Sequence, residues 1–175
     1  MIDLFGEEEI RALSWKQPYA DLMFEGKIET RTWDTKYRGL VLICSSKYGY
    51  NFSHIYPISG DIQMVRMENV LEKCKGHFYG NNFDIEYQHG LAIGVGRLVN
   101  TRIMTGGDED DCFVQYRDPW IEEIKDKKTG KIKLVQKRLW CHIYEDVKRI
   151  EPFPWKGSQG WKMLNKEEKN KIIYI

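Results

Sequence analysis

The alternation of apolar and polar residues near the N-terminus predicts a strand, a helix and a second strand. Residues 9–15 alternate closely enough for a short strand. Pro18 suits the first position of a helix, whose apolar residues recur at helical spacing up to Gly26, a residue suited to a left-handed C-cap. Residues 27–33 have β-branched side chains at alternate positions, which favours a strand. That strand would place four side chains on one face: Lys27, Glu29, Arg31 and Trp33.

The pattern over most of the remaining chain is typical of strands. Residues 40–44 are entirely apolar, as in a buried strand, and residues 139–150 again have the pattern of a strand. Residues 91–104 form a strand pattern interrupted by glycine, which often marks a bulge or the corner of a barrel. Residues 127–130 favour a hairpin turn between two further strands, 121–125 and 132–135.

Three segments depart from the strand pattern. Residues 48–89 are interpreted as an insertion around one helix, which Asp61 can cap and whose apolar stripe includes Val65. Residues 105–111 are interpreted as an acidic loop, and a capping-box spacing predicts a short helix near the C-terminus, from Asn165 and Glu168. Without a visible repeat or linker, we predict a single domain over residues 1–175, of mixed α+β class. It would be a small β-barrel with the early helix packed beside it and a helical insertion.

Composition then excludes several classes of protein. Of the 175 residues 42% are hydrophobic, which is enough for a core, and the formal net charge of +1 excludes a polycation that coats nucleic acid. Because no apolar run approaches a membrane span and the first residues are acidic, we expect a soluble, cytoplasmic protein. Four scattered cysteines without a C-x-x-C pair indicate reduced, mostly buried thiols: Cys44, Cys74, Cys112 and Cys141.

Charge is unevenly distributed along the chain. Residues 107–123 are acidic and residues 125–138 are basic, so the two blocks either neutralise each other or offer a surface to a protein partner over 107–138. The C-terminal quarter is also basic, and an anionic ligand would therefore meet a local positive face.

No motif indicates a cofactor or a metal. Gly94 and Gly96 lack the third glycine and the following helix of a dinucleotide-binding fingerprint. Cys74, His77 and His89 lack a clear fourth ligand for zinc. The histidines have no Ser or Cys nucleophile at a diagnostic spacing, so a hydrolytic triad is not indicated.

Two stretches carry more chemical information. Residues 14–19 lead into a helix whose free N–H groups can hold an anion, and the charged side chains of residues 27–31 are either solvent-facing ion pairs or ligand contacts. Residues 151–161 contain two Pro, two Gly and two Trp, which is incompatible with a regular element. The rings of this loop either cap the end of a barrel or bind a ligand that Gly157 and Gly160 allow to approach the backbone.

In combination these stretches resemble the ASCH domain, a member of the PUA-like superfamily of small β-barrels. The matching segments are residues 12–20, which contain Ser-Trp-Lys-Gln-Pro-Tyr, residues 26–33 with 35–39, and residues 145–161. The family pattern is Gly-x-Lys-x-x-Glu-x-Arg, whereas Glu29 here follows Gly26 by only three residues. The loop between helix and strand is therefore two residues shorter than in the family.

The resemblance implies a nucleic-acid-binding cleft between the first helix, the strand with Lys27, and loop 152–161. The expected ligand is RNA, single-stranded nucleic acid or a modified nucleoside, bound by cations, by a carboxylate that accepts from an exocyclic amine, and by stacked rings that include Trp155. The expected binding residues are Lys16, Gln17, Lys27, Glu29, Arg31, Trp33, Tyr37, Arg38, Lys156, Ser158, Gln159 and Trp161.

The resemblance also implies an alternative, an enzyme. Some small ASCH-like proteins are amidohydrolases of N4-acetylated cytidine that use a Lys, a Thr and a Glu, and others are reported as ribonucleases. The corresponding candidates here are Lys27, Glu29 and Thr30, in which a buried lysine could activate a threonine hydroxyl. The family threonine aligns with Glu29, and Thr30 would replace it only if the strand slipped by one residue, which turns its side chain to the opposite face.

Overall fold

The centre of the molecule is a curled six-stranded sheet that forms half of a barrel. The computed structural model describes residues 8–48, 61–73, 77–79, 82–84 and 89–175. Within these ranges the fold is of mixed α+β class with few helices, as predicted. None of the helices described has the length and apolar content that a membrane span requires.

The strands fall into the main sheet and two separate hairpins. The main sheet contains β1 (Ile10–Trp15), β2 (Glu29–Arg31), β3 (Gly39–Ser45), β6 (Leu91–Ile103), β9 (Trp140–Pro154) and β10 (Lys162–Met163), in the spatial order β10-β1-β3-β6-β9-β2. The hairpins are β4 (His77–Tyr79) with β5 (Asn82–Asp84), and β7 (Trp120–Lys125) with β8 (Ile132–Lys137). The helices are α1 (Tyr19–Leu22), α2 (Asp61–Lys73), α3 (Glu109–Cys112) and α4 (Lys166–Lys169), with 3-10 turns at Met23–Glu25 and Gly106–Asp108.

The topology of the sheet determines where a ligand site can form. β1 and β3 run parallel, with Trp15 opposite Ser45, whereas the other pairs in this sheet are antiparallel. The segments that follow β1 and β3 therefore leave the sheet at the same end. β2 lies at the edge of the sheet, where it pairs with β9, and no other strand in the described ranges pairs with the second side of its backbone.

The core lies on both faces of the sheet. Leu42 and Cys44 belong to one apolar cluster and Val41 and Ile43 to another, because successive side chains of β3 point to opposite faces. This arrangement explains the fully apolar sequence of that strand. A third cluster joins the inserted helix to α1 and to the end of α3, since Met67 and Val70 of α2 pack with Leu22 and Phe113.

The predicted apolar stripe of α2 is wrong at one position, because Val65 is 55% exposed. Much of the predicted insertion lies outside the described residues, including Cys74, and His77 is described only as part of the backbone of β4.

The predicted glycine interruption of β6 is confirmed, and Gly94 shows its physical cause. The register of β6 with β9 shifts between Ala92 and Gly94. A Cβ atom at Gly94 would lie 2.4 Å from Cζ of Phe24 and 2.7 Å from the carbonyl oxygen of Lys148. Only glycine allows the segment after α1 to pack this closely on the sheet.

Several local predictions need correction. Residues 105–111 are not a loop, because Gly106–Asp108 and α3 are helical and Thr105 and Asp108 cap each other reciprocally. The strand predicted over residues 27–33 is limited to Glu29–Arg31. The predicted irregular loop begins only after Pro154, since β9 continues to that residue opposite Leu91. Proline is tolerated there because Pro154 is the last residue of β9, beyond the positions where β2 pairs with the strand (Trp140–His142) and where the C-terminal residues pair with it (Arg149–Glu151).

The C-terminal helix forms as predicted. The Asn165 side chain accepts a hydrogen bond from the Glu168 N–H at 2.9 Å, and the Glu168 carboxylate accepts one from the Asn165 N–H at 3.0 Å. These reciprocal bonds form the capping box of α4.

Candidate functional site

A cavity of about 400 Å³ opens beside β2, at the end of the sheet where β1 and β3 stop. Ser14, Trp15 and Lys16 line it from the end of β1, and Ser46 and Tyr48 line it from the segment after β3. The opposite wall is formed by β2 and the residue two positions before it, through Lys27, Glu29, Thr30 and Arg31. The parallel pairing of β1 with β3 is what brings residues 14–16 and 46–48 together.

The charged side chains of this wall are held by one carboxylate. The Lys27 Nζ lies 3.0 Å from Glu29 Oε2, and the Arg31 Nε lies 2.9 Å from Glu29 Oε1. Lys27 is 4% exposed and Glu29 6% exposed, so their pair is buried. Lys27 also donates to the Ile28 carbonyl at 2.9 Å, and Arg31 Nη2 donates to the Ser14 carbonyl at 3.1 Å, which ties β2 to the end of β1.

Glu29 remains ionised despite its burial. Desolvation by itself raises the pKa of this carboxyl, but Lys27 and Arg31 together outweigh it and hold the pKa below its ordinary value of 4.5. The buried Trp15 indole N–H makes the smallest contribution that lowers this pKa. Its geometry is not that of a normal hydrogen bond. At neutral pH the three charged groups therefore carry one net positive charge on the cavity wall.

The rings at the cavity are not those that the sequence indicated. The Lys27 ammonium lies 5.1 Å from the centroid of Tyr19, and the Arg31 guanidinium lies 5.5 Å from that of Trp15. Tyr48, also at the cavity, is 73% exposed. Trp15 and Tyr19 belong to one of the segments that resemble ASCH domains, whereas no signal in the sequence pointed to Tyr48.

The rings predicted to stack on a base lie elsewhere. Trp161 packs against both Trp33 and Tyr37, with ring centroids 5.6 Å apart in each pair. The Tyr37 hydroxyl donates to the Leu40 carbonyl at 2.7 Å, and Trp155 is buried in the core. None of Trp33, Tyr37, Trp155 and Trp161 lines the cavity. Their rings pack against one another or in the core.

Gln17 and Arg38, two of the predicted polar ligand contacts, instead make structural bonds. Gln17 is fully buried, donates to the Asp21 carboxylate at 2.7 Å and accepts from the Asp21 N–H at 3.2 Å, which fixes the start of α1. Arg38 donates to the Tyr37 carbonyl at 2.7 Å and to the Thr101 hydroxyl at 2.9 Å. Lys16, by contrast, lines the cavity and is exposed.

Loop 155–161 reaches the cavity only at its rim. A Cβ atom at Gly157 would lie 3.5 Å from Oγ of Ser14, so the backbone of the loop passes close to the end of β1. The side chains of Lys156, Ser158 and Gln159 are exposed beside this point, and none of them lines the cavity.

Thr30 lines the cavity without any slip of the strand. Its partner across the sheet is Cys141, so its side chain lies on the face opposite to that of Glu29. The cavity nevertheless touches both residues because it opens at the edge of β2. Among the described residues, no hydrogen bond joins Thr30 to Lys27, whose ammonium is held by Glu29 and the Ile28 carbonyl.

The cysteines and histidines form no second site in the described part of the chain. Cys44, Cys112 and Cys141 are buried free thiols, as predicted for these three. No group of three or more His, Cys, Asp or Glu side chains within the described ranges is arranged to hold a metal ion. His89 lies with its Nδ1 3.2 Å from the Ser46 carbonyl oxygen.

Comparison with known proteins adds no relative. No family model matches the chain, and no curated protein matches it. The resemblance to ASCH domains therefore stays a prediction based on the motifs quoted above.

Proposed function

We propose that this chain is an ASCH-type, PUA-like domain that binds a base of RNA or a modified nucleoside in the cavity beside β2. The observation that carries the proposal is the convergence of Lys27, Glu29 and Arg31 on one wall of a cavity that is large enough for a nucleoside. The half-barrel sheet is consistent with this type of domain.

The cavity wall offers groups of the kinds that recognise nucleotides. Each oxygen of the Glu29 carboxylate forms an ion pair with one cation and keeps a lone pair that can accept from an exocyclic amine. Arg31 is partly exposed and fixed in place, so it can meet a phosphate or a base edge. Tyr19 and the exposed Tyr48 offer ring faces on which a base can stack. The net positive charge of the wall favours an anionic ligand.

The test is a binding titration with cytidine, N4-acetylcytidine and a short single-stranded RNA at two salt concentrations. We expect RNA binding that weakens as salt rises, because phosphate contacts release counterions. Arg31→Ala should weaken binding about tenfold, since hydrogen bonds to a charged group are worth about 1.5–3 kcal/mol. Arg38→Ala, which removes an exposed arginine outside the cavity, is the matched control and should change little. Absence of binding to all three probes would refute the proposal.

Hydrolysis of N4-acylated cytidine is the second candidate, favoured by the presence of Thr30 in the same cavity as Lys27 and Glu29. It ranks second because, among the described residues, the Lys27 ammonium is bonded to Glu29 and not to the Thr30 hydroxyl, so Lys27 is not placed to activate that hydroxyl as a nucleophile. Incubation of wild type and Thr30→Val with N4-acetylcytidine, followed by chromatography, decides between the two. Cytidine formed by wild type alone would make hydrolysis the function. The RNA probe, checked for cleavage in the same way, tests ribonuclease activity.

A further inference from the structure

The open backbone edge of β2 faces the cavity, and we propose that the main-chain N–H and C=O of Thr30 recognise the hydrogen-bonding edge of the bound base. This inference rests on the proposed function and adds to it the groups that determine which ligands are accepted. It follows from the alternation of main-chain groups in antiparallel strands, where each residue directs its N–H and C=O to the same side.

The pairing of β9 with β6 fixes the direction of the β9 backbone. Met104 N–H donates to the Leu139 carbonyl at 3.0 Å, and the two residues directly before Met104 lie opposite Trp140 and Cys141. Because hydrogen-bonded positions recur every second residue, Arg102 and Cys141 form the next bonded pair. The main chain of Cys141 therefore points to β6 and away from β2.

Consequently Trp140 and His142 direct their main-chain groups to β2, where their partners are Arg31 and Glu29. Thr30, opposite Cys141, must direct its N–H and C=O away from β9. Ile28 independently gives the same result: its N–H donates to the Asp111 carbonyl at 2.9 Å, and its C=O accepts from Lys27 Nζ at 2.9 Å, both away from the sheet. Thr30 is the next residue on that side.

The Thr30 groups thus form a donor and an acceptor on the wall of the cavity. Within the described part of the chain no residue bonds to them, and Thr30 lines the cavity next to the Glu29 carboxylate. This donor and acceptor complement a group that presents an acceptor beside a donor. The Watson–Crick edges of nucleobases have that arrangement, with Glu29 available for an exocyclic amine.

Amide hydrogen exchange on the ¹⁵N-labelled full chain tests the inference directly. Without ligand, the Glu29 and Arg31 amides should be protected and the Thr30 amide should exchange freely. Saturation with each of cytidine, uridine, adenosine and guanosine should slow Thr30 exchange at least about tenfold for the nucleosides that bind. If a nucleoside shifts the Arg31 signals while Thr30 exchange stays fast, the inference fails and the proposed function stands. If no nucleoside perturbs any signal of the cavity residues, the inference fails, and the titration with N4-acetylcytidine and RNA decides the proposed function by itself.

A matched pair of substitutions separates the backbone from the side chain. Thr30→Pro removes the N–H, which an edge strand tolerates when that group points outward, whereas Thr30→Val removes only the hydroxyl. We expect Thr30→Pro to bind nucleosides about three- to tenfold more weakly than Thr30→Val, which keeps the main-chain N–H. Equal losses in the two variants would identify the hydroxyl as the contact and overturn the inference. If Thr30→Pro does not fold, as judged by circular dichroism, the exchange measurement decides alone.

Discussion

The cavity beside β2 and the hairpin of β7 and β8 both carry several charged side chains, but these are paired and mostly buried on the β2 wall of the cavity and mostly exposed in the hairpin. At the cavity, Lys27 and Glu29 are almost completely buried and lie 3.0 Å apart. In the hairpin of β7 and β8, seven cations and three carboxylates lie between residues 120 and 138, the turn is fully exposed, and no ion pair forms among these residues as described. The hairpin also leaves Ile121, Ile132 and Leu134 more than half exposed.

The difference shows what each region can contribute. A buried ion pair has lost its hydration and depends on its partners, so its geometry is fixed and removal of one member is costly. Exposed charges keep their hydration and act through a field that salt screens. The cavity is therefore suited to specific recognition of a ligand, whereas the hairpin can only add long-range attraction or contact a partner.

The largest expected effect is on stability when the cavity carboxylate is neutralised. Glu29→Gln leaves the Lys27 ammonium buried without its counter-charge, and we expect the free energy of unfolding to fall by about 3–5 kcal/mol. Glu123→Gln on the hairpin is the matched control and should change it by less than about 0.5 kcal/mol. Urea denaturation of both variants measures the difference. Equal losses of unfolding free energy in the two variants would show that the buried carboxylate stabilises the fold no more than the exposed one.

The next effect in size concerns acid. Because the pKa of Glu29 lies below 4.5 in the folded protein, the unfolded chain takes up the proton first as the pH falls. The stability due to ionised Glu29 is complete above about pH 4.5 and is lost as the pH falls through the folded pKa. Wild type should therefore lose stability in this range more steeply than Glu29→Gln.

The comparison with Glu29→Gln is needed because other carboxyls act in the same direction. The Arg102 guanidinium holds the pKa of Asp108 well below its usual range, so that residue also destabilises the fold when protonated. It contributes equally to wild type and variant and cancels in their difference. Parallel stability curves for the two proteins between neutral pH and pH 3 would contradict a depressed pKa at Glu29.

How far the sequence predicts this site depends on the sequence distance between its parts. Lys27, Glu29 and Arg31 alternate on one short segment, so local periodicity was enough to group them. Gln17 and Asp21 lie four residues apart, which is the spacing of neighbours on a helix, and the sequence therefore contained the signal that Gln17 is occupied. The exposed charges of the hairpin also followed from its turn residues and polar composition.

The features of the site that the sequence did not predict depend on contacts between distant segments. Ser46 and Tyr48 reach the cavity because β1 and β3 are parallel, a pairing that no local pattern specifies. The sequence does not separate Trp33, Tyr37 and Trp161, which pack on one another outside the cavity, from rings that line it, because an aromatic ring satisfies the same sequence pattern whether it packs on another ring or on a ligand. The open backbone of Thr30 likewise follows only from the register of three strands.

The smallest effect should come from the hairpin. We expect combined Lys127→Gln, Lys128→Gln and Lys131→Gln to leave both the free energy of unfolding and nucleoside binding unchanged, since these side chains are exposed and lie in the turn. The affinity for single-stranded RNA should nevertheless fall at low salt and converge with that of wild type at high salt, because the turn contributes only to the long-range field. Isothermal titration with a nucleoside and an RNA at both salt concentrations measures this. A loss of nucleoside binding in this variant would mean that the hairpin acts on the cavity directly, and an RNA affinity unchanged at low salt would favour the protein-partner hypothesis for residues 107–138.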